Sequence, residues 1–377
     1  MPSTQLFPEV IDASTLGAKF SSPLYLPIGV EGWIDNAAGG DAVINQIYAV
    51  TTPAEAEARF GAARKITDLV KFLLDRGVAP VYATACKRSA TPPTTVERQA
   101  AWQNLESDPR VRIRLTDAEV QADHVALADS AEFAELINNK QFALVGMPAT
   151  TTKAALLTAA TAIASKRGIL VGPAVYNNAG ALISGMYAAA AVAAEVALNP
   201  NPADDLDLAP IRNLTAIEKD AQGMPLFRRK VVAGVAANDF EDLLQGGVSP
   251  LKSGDNGGVE ITHLRTTWTT DGTFDSLMTR IIADQVFVLV RKYLYDLKYL
   301  RAPNTATTRE RIRSGVDALL NDLRDWISKK VQVDGSEGYN VSVTASADER
   351  QVTVGYEGKI VRGISTIQVA ASLEIAV

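Results

Sequence analysis

Histidine and cysteine are the side chains that most often ligate metals or carry nucleophilic chemistry, and this chain holds them at His124, His263 and Cys86. His124 follows the polar stretch Gln121-Ala122-Asp123 into a helix, and His263 falls in a strand. Such isolation provides no zinc spacing, which needs three or four converging N or S donors. A carboxylate-only metal site stays open, but no calcium-loop spacing of acidic residues is present. No Gly-x-Ser-x-Gly elbow occurs. Gly335-Ser336-Glu337-Gly338 is one residue too short, and it leads into a hairpin where the elbow needs a helix. The nearest approach to a phosphate loop is Gly246-Gly247-Val248-Ser249-Pro250-Leu251-Lys252-Ser253. There Leu251 replaces the glycine required before lysine, and Pro250 removes a backbone donor. Asp204, Asp205 and Asp207 read as a solvated acidic turn. No catalytic residue, metal site or cofactor is expected from these motifs.

The elements that would position a site fall into two patterns. From Pro23 to Val175 strands and helices alternate: strands at Leu24–Val30, Gln46–Val50, Pro80–Ala85, Phe142–Gly146 and Gly168–Val171, and helices after Thr52-Pro53, over Lys65–Asp75 and over Lys153–Ser165. Thr52 suits an N-cap and Pro53 the first helical position. Ile66, Leu69, Val70, Leu73 and Leu74 share one helical face, and Gly77 ends that helix. This rhythm predicts an α/β domain with a largely parallel sheet. An alanine-rich helix is expected over 178–198, with Gly180, Ser184, Gly185 and Ala188 as a thin face. Linkers follow at Asn199–Pro210 and 246–258. Beyond them come a strand (Val259–Trp268), a long helix (Phe274–Leu300) and a helix over Thr308–Lys329 capped by Thr307 or Thr308. The period-2 runs at Tyr339–Thr344 and Val352–Tyr356 then predict a β-hairpin. Residues 1–22 read as an extended arm that Pro8 keeps off a central strand, and Ile364–Val377 alternates like a strand.

Composition narrows the function classes. With 47% hydrophobic and 21% charged residues over 377 positions, the chain can build two or three domains with real cores. A net charge of −6 argues against nucleic-acid binding, which needs surplus Lys and Arg. A single cysteine excludes an intramolecular disulfide and fits a reducing compartment. The N-terminus has no basic region followed by an apolar stretch, so no signal peptide is expected. Ala179–Leu198 carries only Glu195 but is built of alanine, a weak membrane-inserting residue, so a buried soluble helix is expected and no membrane insertion.

One stretch resembles a known family. Asp239-Phe240-Glu241-Asp242-Leu243-Leu244-Gln245-Gly246-Gly247-Val248-Ser249-Pro250 is followed by Gly257-Gly258-Val259-Glu260-Ile261, then by Thr266-Thr267-Trp268-Thr269-Thr270-Asp271-Gly272 and Asp275. In order and spacing this is similar to the contractile tail sheath proteins, Mu-like phage sheaths and their bacteriocin and type VI secretion relatives. His263 and Arg265 depart from the pattern, which has arginine and an apolar residue there. Looser likenesses are Ala54–Gly61, Leu69–Tyr82 and Gly180–Ala188.

The resemblance implies a structural subunit and no enzyme. It implies an α/β plus α+β fold, with an outer α/β domain (subtilisin-like, non-catalytic) and an inner α+β domain with strand-exchanging terminal arms. The expected division is arm 1–22, outer domain 23–245, inner assembly domain 246–358 and C-terminal arm strand 359–377. Expected partners are other copies in a helical polymer, a tail tube protein, and baseplate and tail terminator proteins. The expected location is a virion tail assembled in the bacterial cytoplasm. Unpaired strands expose backbone donors and acceptors that a neighbour's sheet can satisfy. On that basis Leu6, Phe7 and Val10 of the arm and Ile367, Val369, Leu373 and Ile375 of the tail would join Val341, Val343, Val352 and Val354 of a neighbour's hairpin. The competing reading of the tail is a third strand of its own sheet. Lys292, Lys298 and Arg301 either face an acidic tube or form a solvated helix face. Competing functions are an α/β enzyme with a nucleotide or small-substrate pocket at its strand ends, and another tail or baseplate component.

Overall fold

The computed structural model describes residues 26–35, 39–62, 64–199, 206–232, 235–254, 257–270, 276–296, 303–331, 336–345 and 352–360. The chain divides into two compact units, one of Leu24–Pro200 with Leu206–Leu277, the other including Met278–Val377.

The first unit starts as β1 (Ile28–Ile34), β2 (Ile47–Val50), α1 (Pro53–Phe60), α2 (Lys65–Leu74), β3 (Val81–Arg88), α3 (Thr95–Ser107), β4 (Ile113–Thr116), α4 (Gln121–Leu136), β5 (Phe142–Gly146), α5 (Lys153–Ile163) and β6 (Gly168–Gly172). It continues with β7 (Val175–Asn177), β8 (Leu182–Ile183), α6 (Gly185–Leu198), β9 (Pro210–Ile211), β10 (Leu214–Ile217), β11 (Arg229–Val232), β12 (Val235–Asn238), α7 (Asp239–Gln245), β13 (Val248–Ser253) and β14 (Val259–Ile261). Nine strands form one sheet in the order β2-β3-β1-β4-β5-β6-β13-β14-β9. The run from β3 to β13 is parallel throughout. Antiparallel strands close both flanks.

Every residue of β4, β5 and β6 is buried, because helices cover both faces of a parallel sheet; β5 and β6 accordingly read as apolar runs, whereas β4 buries Arg114 and Thr116. On β1 a Cβ at Gly29 would meet Leu105 of α3, and one at Gly32 would meet Ile66 of α2. Positions of opposite parity point to opposite faces, so α2 and α3 lie on opposite sides of the sheet. Side-chain caps set the helix starts. Thr52 Oγ1 accepts from Glu55 N, with Pro53 in the first turn. Thr94 and Glu97 form a reciprocal capping box. Lys87 and the Thr94 cap hold the Glu97 carboxyl down at about 2.

Several expectations need correction. The helix expected over 178–198 starts only at Gly185. Residues 175–183 form a hairpin, because Asn177 Oδ1 accepts the Ala179 and Ala181 amides and Gly180 adopts φ +74°. Of the proposed thin face, Gly185 makes the close approach: a Cβ on the facing Gly146 would lie 1.9 Å from the Gly185 carbonyl oxygen. Gly180 lies in the open turn. α6 is otherwise buried nearly all round, and among the described residues no helix is long and apolar enough to cross a membrane. The strand expected over Val259–Trp268 ends at Ile261. Beyond it the Ser249 hydroxyl holds Arg265 N and O, and Thr267 N donates to Gly168 O. The sheet does not stop at the glycine-rich segment: β13 pairs with β6 and β14 with β13.

The second unit contains α8 (Leu277–Asp296, which enters it at Met278), α9 (Ala306–Asp322), β15 (Ile327–Ser328), β16 (Lys330–Val331), β17 (Glu337–Gly338), β18 (Ser342–Ala345), β19 (Val352–Gly355) and β20 (Lys359–Ile360). Ile282, Val286, Val290 and Tyr293 of α8 pack on Ile312, Val316, Leu319 and Leu320 of α9, at the three-to-four-residue spacing of one helix face. α9 starts and ends earlier than expected. Thr305 caps it through Thr308 N, and after Asp322 the chain turns and pairs as β15 with β20. The part of the expected Phe274–Leu300 helix beyond Asp296 lies outside the described residues.

Candidate assembly surfaces

β18 and β19 form the hairpin expected from the alternation, with Val343 opposite Val354 and Ala345 opposite Val352. Val341, Val343, Val354 and Tyr356 share one face and pack, partly buried, on the α8–α9 core. Tyr339, just before β18, is buried and donates its hydroxyl to Ile327 O at 3.1 Å. Val352 has the same parity but lies at the turn end and is 37% exposed. The valines therefore attach the hairpin to its own subunit. Ser342, Thr344 and Thr353 occupy the other, exposed face. Among the described residues β18 and β19 pair only with each other. A two-stranded hairpin is marginal alone, and the helix core supplies the support. Leu6, Phe7, Val10, Ile367, Val369, Leu373, Ile375, Lys298 and Arg301 lie outside the described residues. Lys292 is exposed on α8.

Enzyme chemistry would be sought at the carboxyl ends of the parallel strands. A charged cluster does occupy that place, and no motif announced it. Glu31 of β1 accepts from Arg98 Nη1 of α3 (2.8 and 2.9 Å), Trp102 Nε1 (3.1 Å) and Thr116 Oγ1 (2.7 Å). Arg98 also donates to Asp117 just after β4 at 2.8 Å, and its Nε lies 3.4 Å from Asp123 of α4 without hydrogen-bond geometry. Burial works against the Arg98 charge, but Glu31 and Asp117 outweigh it and raise the guanidinium pKa. The Glu31 and Asp117 side chains have 0% exposure, so both are sealed from solvent. The signal available in the sequence was a lone carboxylate in an apolar strand, Ile28-Gly29-Val30-Glu31-Gly32-Trp33-Ile34.

The other chemistry-bearing residues are committed to structure. Burial pushes the Cys86 thiol far up and the His124 imidazole down. His124 Nε2 lies 3.1 Å from Ala118 O. His263, just beyond β14, pairs with Asp207 at 2.7 Å. Asp207 lies in a turn, but its side chain is only 7% exposed and is paired rather than solvated. The segment 248–253 is a sheet strand preceded by a helix, the reverse of a phosphate loop's strand-to-helix order. A shallow groove on the first unit is lined by Asp68, Lys71, Phe72, Asp75, Asn177, Ile183 and Tyr187. Among the described residues no group of acidic, histidine or cysteine side chains could hold a metal ion.

The mixed α/β architecture, with its large helix-covered sheet, has the overall fold of tail sheath proteins of known structure. A sheath tail protein from Listeria innocua superposes with a TM-score of 0.66 at 13% identity, over 93% of this chain and 96% of its own. A chain of the contracted sheath complex of PVC, an extracellular contractile injection system, gives 0.65 at 14% identity over 100% and 98%. A chain of the contracted helical sheath of the anti-feeding prophage gives 0.63 at 11% identity over 99% of each. No protein-family model and no curated protein matches the sequence.

Proposed function

We propose that this chain is the sheath subunit of a contractile tail or related injection device, a structural protein that polymerises helically around a tail tube and contracts to drive it through a target envelope. The observation that carries this reading is the shared fold over nearly the whole chain, which extends to chains from assembled sheaths. In this reading the α/β unit is the outer domain, subtilisin-like in architecture and without catalysis, and the α8–α9 unit with its hairpin is the inner, assembling one. The arm of one neighbour (Leu6, Phe7, Val10) and the tail of another (Ile367, Val369, Leu373, Ile375) add strands to the outer edges of β18 and β19. Such contacts are heterologous, so they propagate into rings or an open helix. Lys292, Lys298 and Arg301 face the tube. Baseplate and terminator proteins cap the polymer, which assembles in the bacterial cytoplasm and ends in the virion or particle.

Negative-stain electron microscopy of the purified, concentrated chain tests the proposal. Hollow tubes or stacked rings are expected, and deletion of residues 1–15 or 364–377 should abolish them. Uniform small particles unchanged by either deletion would overturn it.

A further inference from the structure

Helix α4 carries apolar side chains on two sides. Leu127, Ala128, Ala131 and Ala134 are buried. The outward face of a surface helix is ordinarily polar. Yet Phe133, Leu136 and Ile137, spaced as neighbours on one helix face, are 53%, 76% and 48% exposed. They form an apolar tip at the carboxyl end of α4, and a contiguous exposed patch of this kind marks an interaction surface. Positive charge is in surplus just past the tip. Lys140 (3.0 Å) and Arg167 (2.9 Å) both pair with the single carboxylate of Glu135, and Arg112 donates to Asn139 Oδ1 at 2.9 Å. The carboxylates of Asp129 and Glu132 lie further back along the helix.

The shallow groove on the same unit has the complementary character. Phe72 of α2 and Tyr187 of α6 meet edge to face there, ring centroids 5.2 Å apart, with Ile183 of β8 in the lining. Its volume of about 240 Å³ is below the roughly 300–1,000 Å³ of small-molecule pockets and suits a few side chains of a partner. Its rim is acidic. Lys71 pairs with Glu57, whereas Asp68 and Asp75 are exposed and form no salt bridge among the described residues. Arg76 does not offset them at the surface. It is buried against the Phe72 ring, 3.5 Å from the centroid, and donates to the Phe72 and Arg212 carbonyls.

Tip and groove lie on opposite faces of the sheet. α4 is tied to α3 by Ser130 Oγ to Glu106 (2.8 Å) and by Thr95 Oγ1 to Asp123 (2.6 Å), which puts the tip on the α3 side. The groove, between α2 and α6, belongs to the other side. We propose that the tip of one copy (Phe133, Leu136, Ile137) seats in the groove of the next (Phe72, Ile183, Tyr187), with Lys140 set against Asp68 and Asp75. Each copy offers one surface and receives the other, so the contact is heterologous and propagates along a polymer. It deepens the sheath reading, on which it rests for the polymer, by assigning a contact between α/β units that is separate from the strand exchange of the arms. Three side chains fall short of the roughly 800 Å² per partner of a stable pair. The contact is therefore weak between free copies and well populated between copies already held together.

Irreversible cysteine cross-linking traps even a weak contact. The full chain with Leu136→Cys and Ile183→Cys is treated with a short bismaleimide, both as assembled particles and as concentrated unassembled protein. A ladder of covalent dimers, trimers and longer chains is expected on denaturing gels, with about tenfold higher yield in the assembled material. Adding Lys140→Glu should cut that yield about tenfold. Neither cysteine alone should give a ladder, and the native Cys86 is buried. Should Ile183→Cys disturb the fold, Asp75→Cys on the groove rim takes its place. Absence of the ladder overturns the contact whether or not particles form, and particles without a ladder leave the sheath reading standing. A ladder without particles upholds the contact and counts against the sheath polymer. Efficient dimers from Leu136→Cys alone would show a tip-to-tip contact and overturn the heterologous one.

Discussion

Arg98 shows how one side chain can tie several elements of an α/β unit together. It is 3% exposed and its Nη1 donates to both Glu31 and Asp117. A buried ion pair contributes little net stability against an apolar replacement of both partners, but removing one partner strands the other in a low dielectric. Arg98→Met is therefore expected to lower the unfolding free energy by about 3–5 kcal/mol, read from urea denaturation. A loss below about 1 kcal/mol would mean that the carboxylates shed their charge at no cost. At this scale the sequence was weakly legible. Glu31 and Arg98 are 67 positions apart, and His263 and Asp207 are 56 apart. No local pattern marks such pairs, because the partner's position is a property of the folded sheet.

Elements were easier to read where their ends carry local chemistry. The caps at Thr52 and the stop at Gly77 depend on neighbours within a few residues. The 178–184 segment was misread because alanine and glycine fit a helix face by spacing, whereas the Asn177 side chain instead closed a turn over two amides. The seat of α6 on the sheet supplies a test. A Cβ on Gly146 collides with the Gly185 backbone, which cannot rotate away, whereas Gly180 has nothing within 4 Å. Gly146→Ala is expected to cost about 3 kcal/mol, and Gly180→Ala about 1 kcal/mol through its positive φ. Thermal unfolding of the two variants checks this. Equal losses would show that the α6 contact yields more easily than its geometry implies.

At the scale of the whole molecule, the proposed assembly depends on strands that one subunit lacks and another donates. Val341, Val343 and Val354 bind their own helix core, so in the proposed assembly specificity would come from the backbone edges of β18 and β19 and from whatever fills them. A chain lacking residues 364–377 is expected to recover tube formation when the 364–377 peptide is supplied in excess. A scrambled peptide of the same composition should not restore it. Recovery with neither peptide would mean that the tail acts only when covalently attached, against exchange between separate chains.

By itself the sequence determined the strand–helix alternation, the Thr52-capped helix start and the hairpin pairing, because each is set by side chains within a turn or two along the chain. Only the tertiary structure decided that β13 and β14 join the main sheet, that His263 and Asp207 pair, that Glu31, Arg98 and Asp117 meet in a sealed cluster, and that Val343 and Val354 face inward. Those outcomes depend on which distant elements pack together, and packing selects among the partners that local periodicity leaves equivalent.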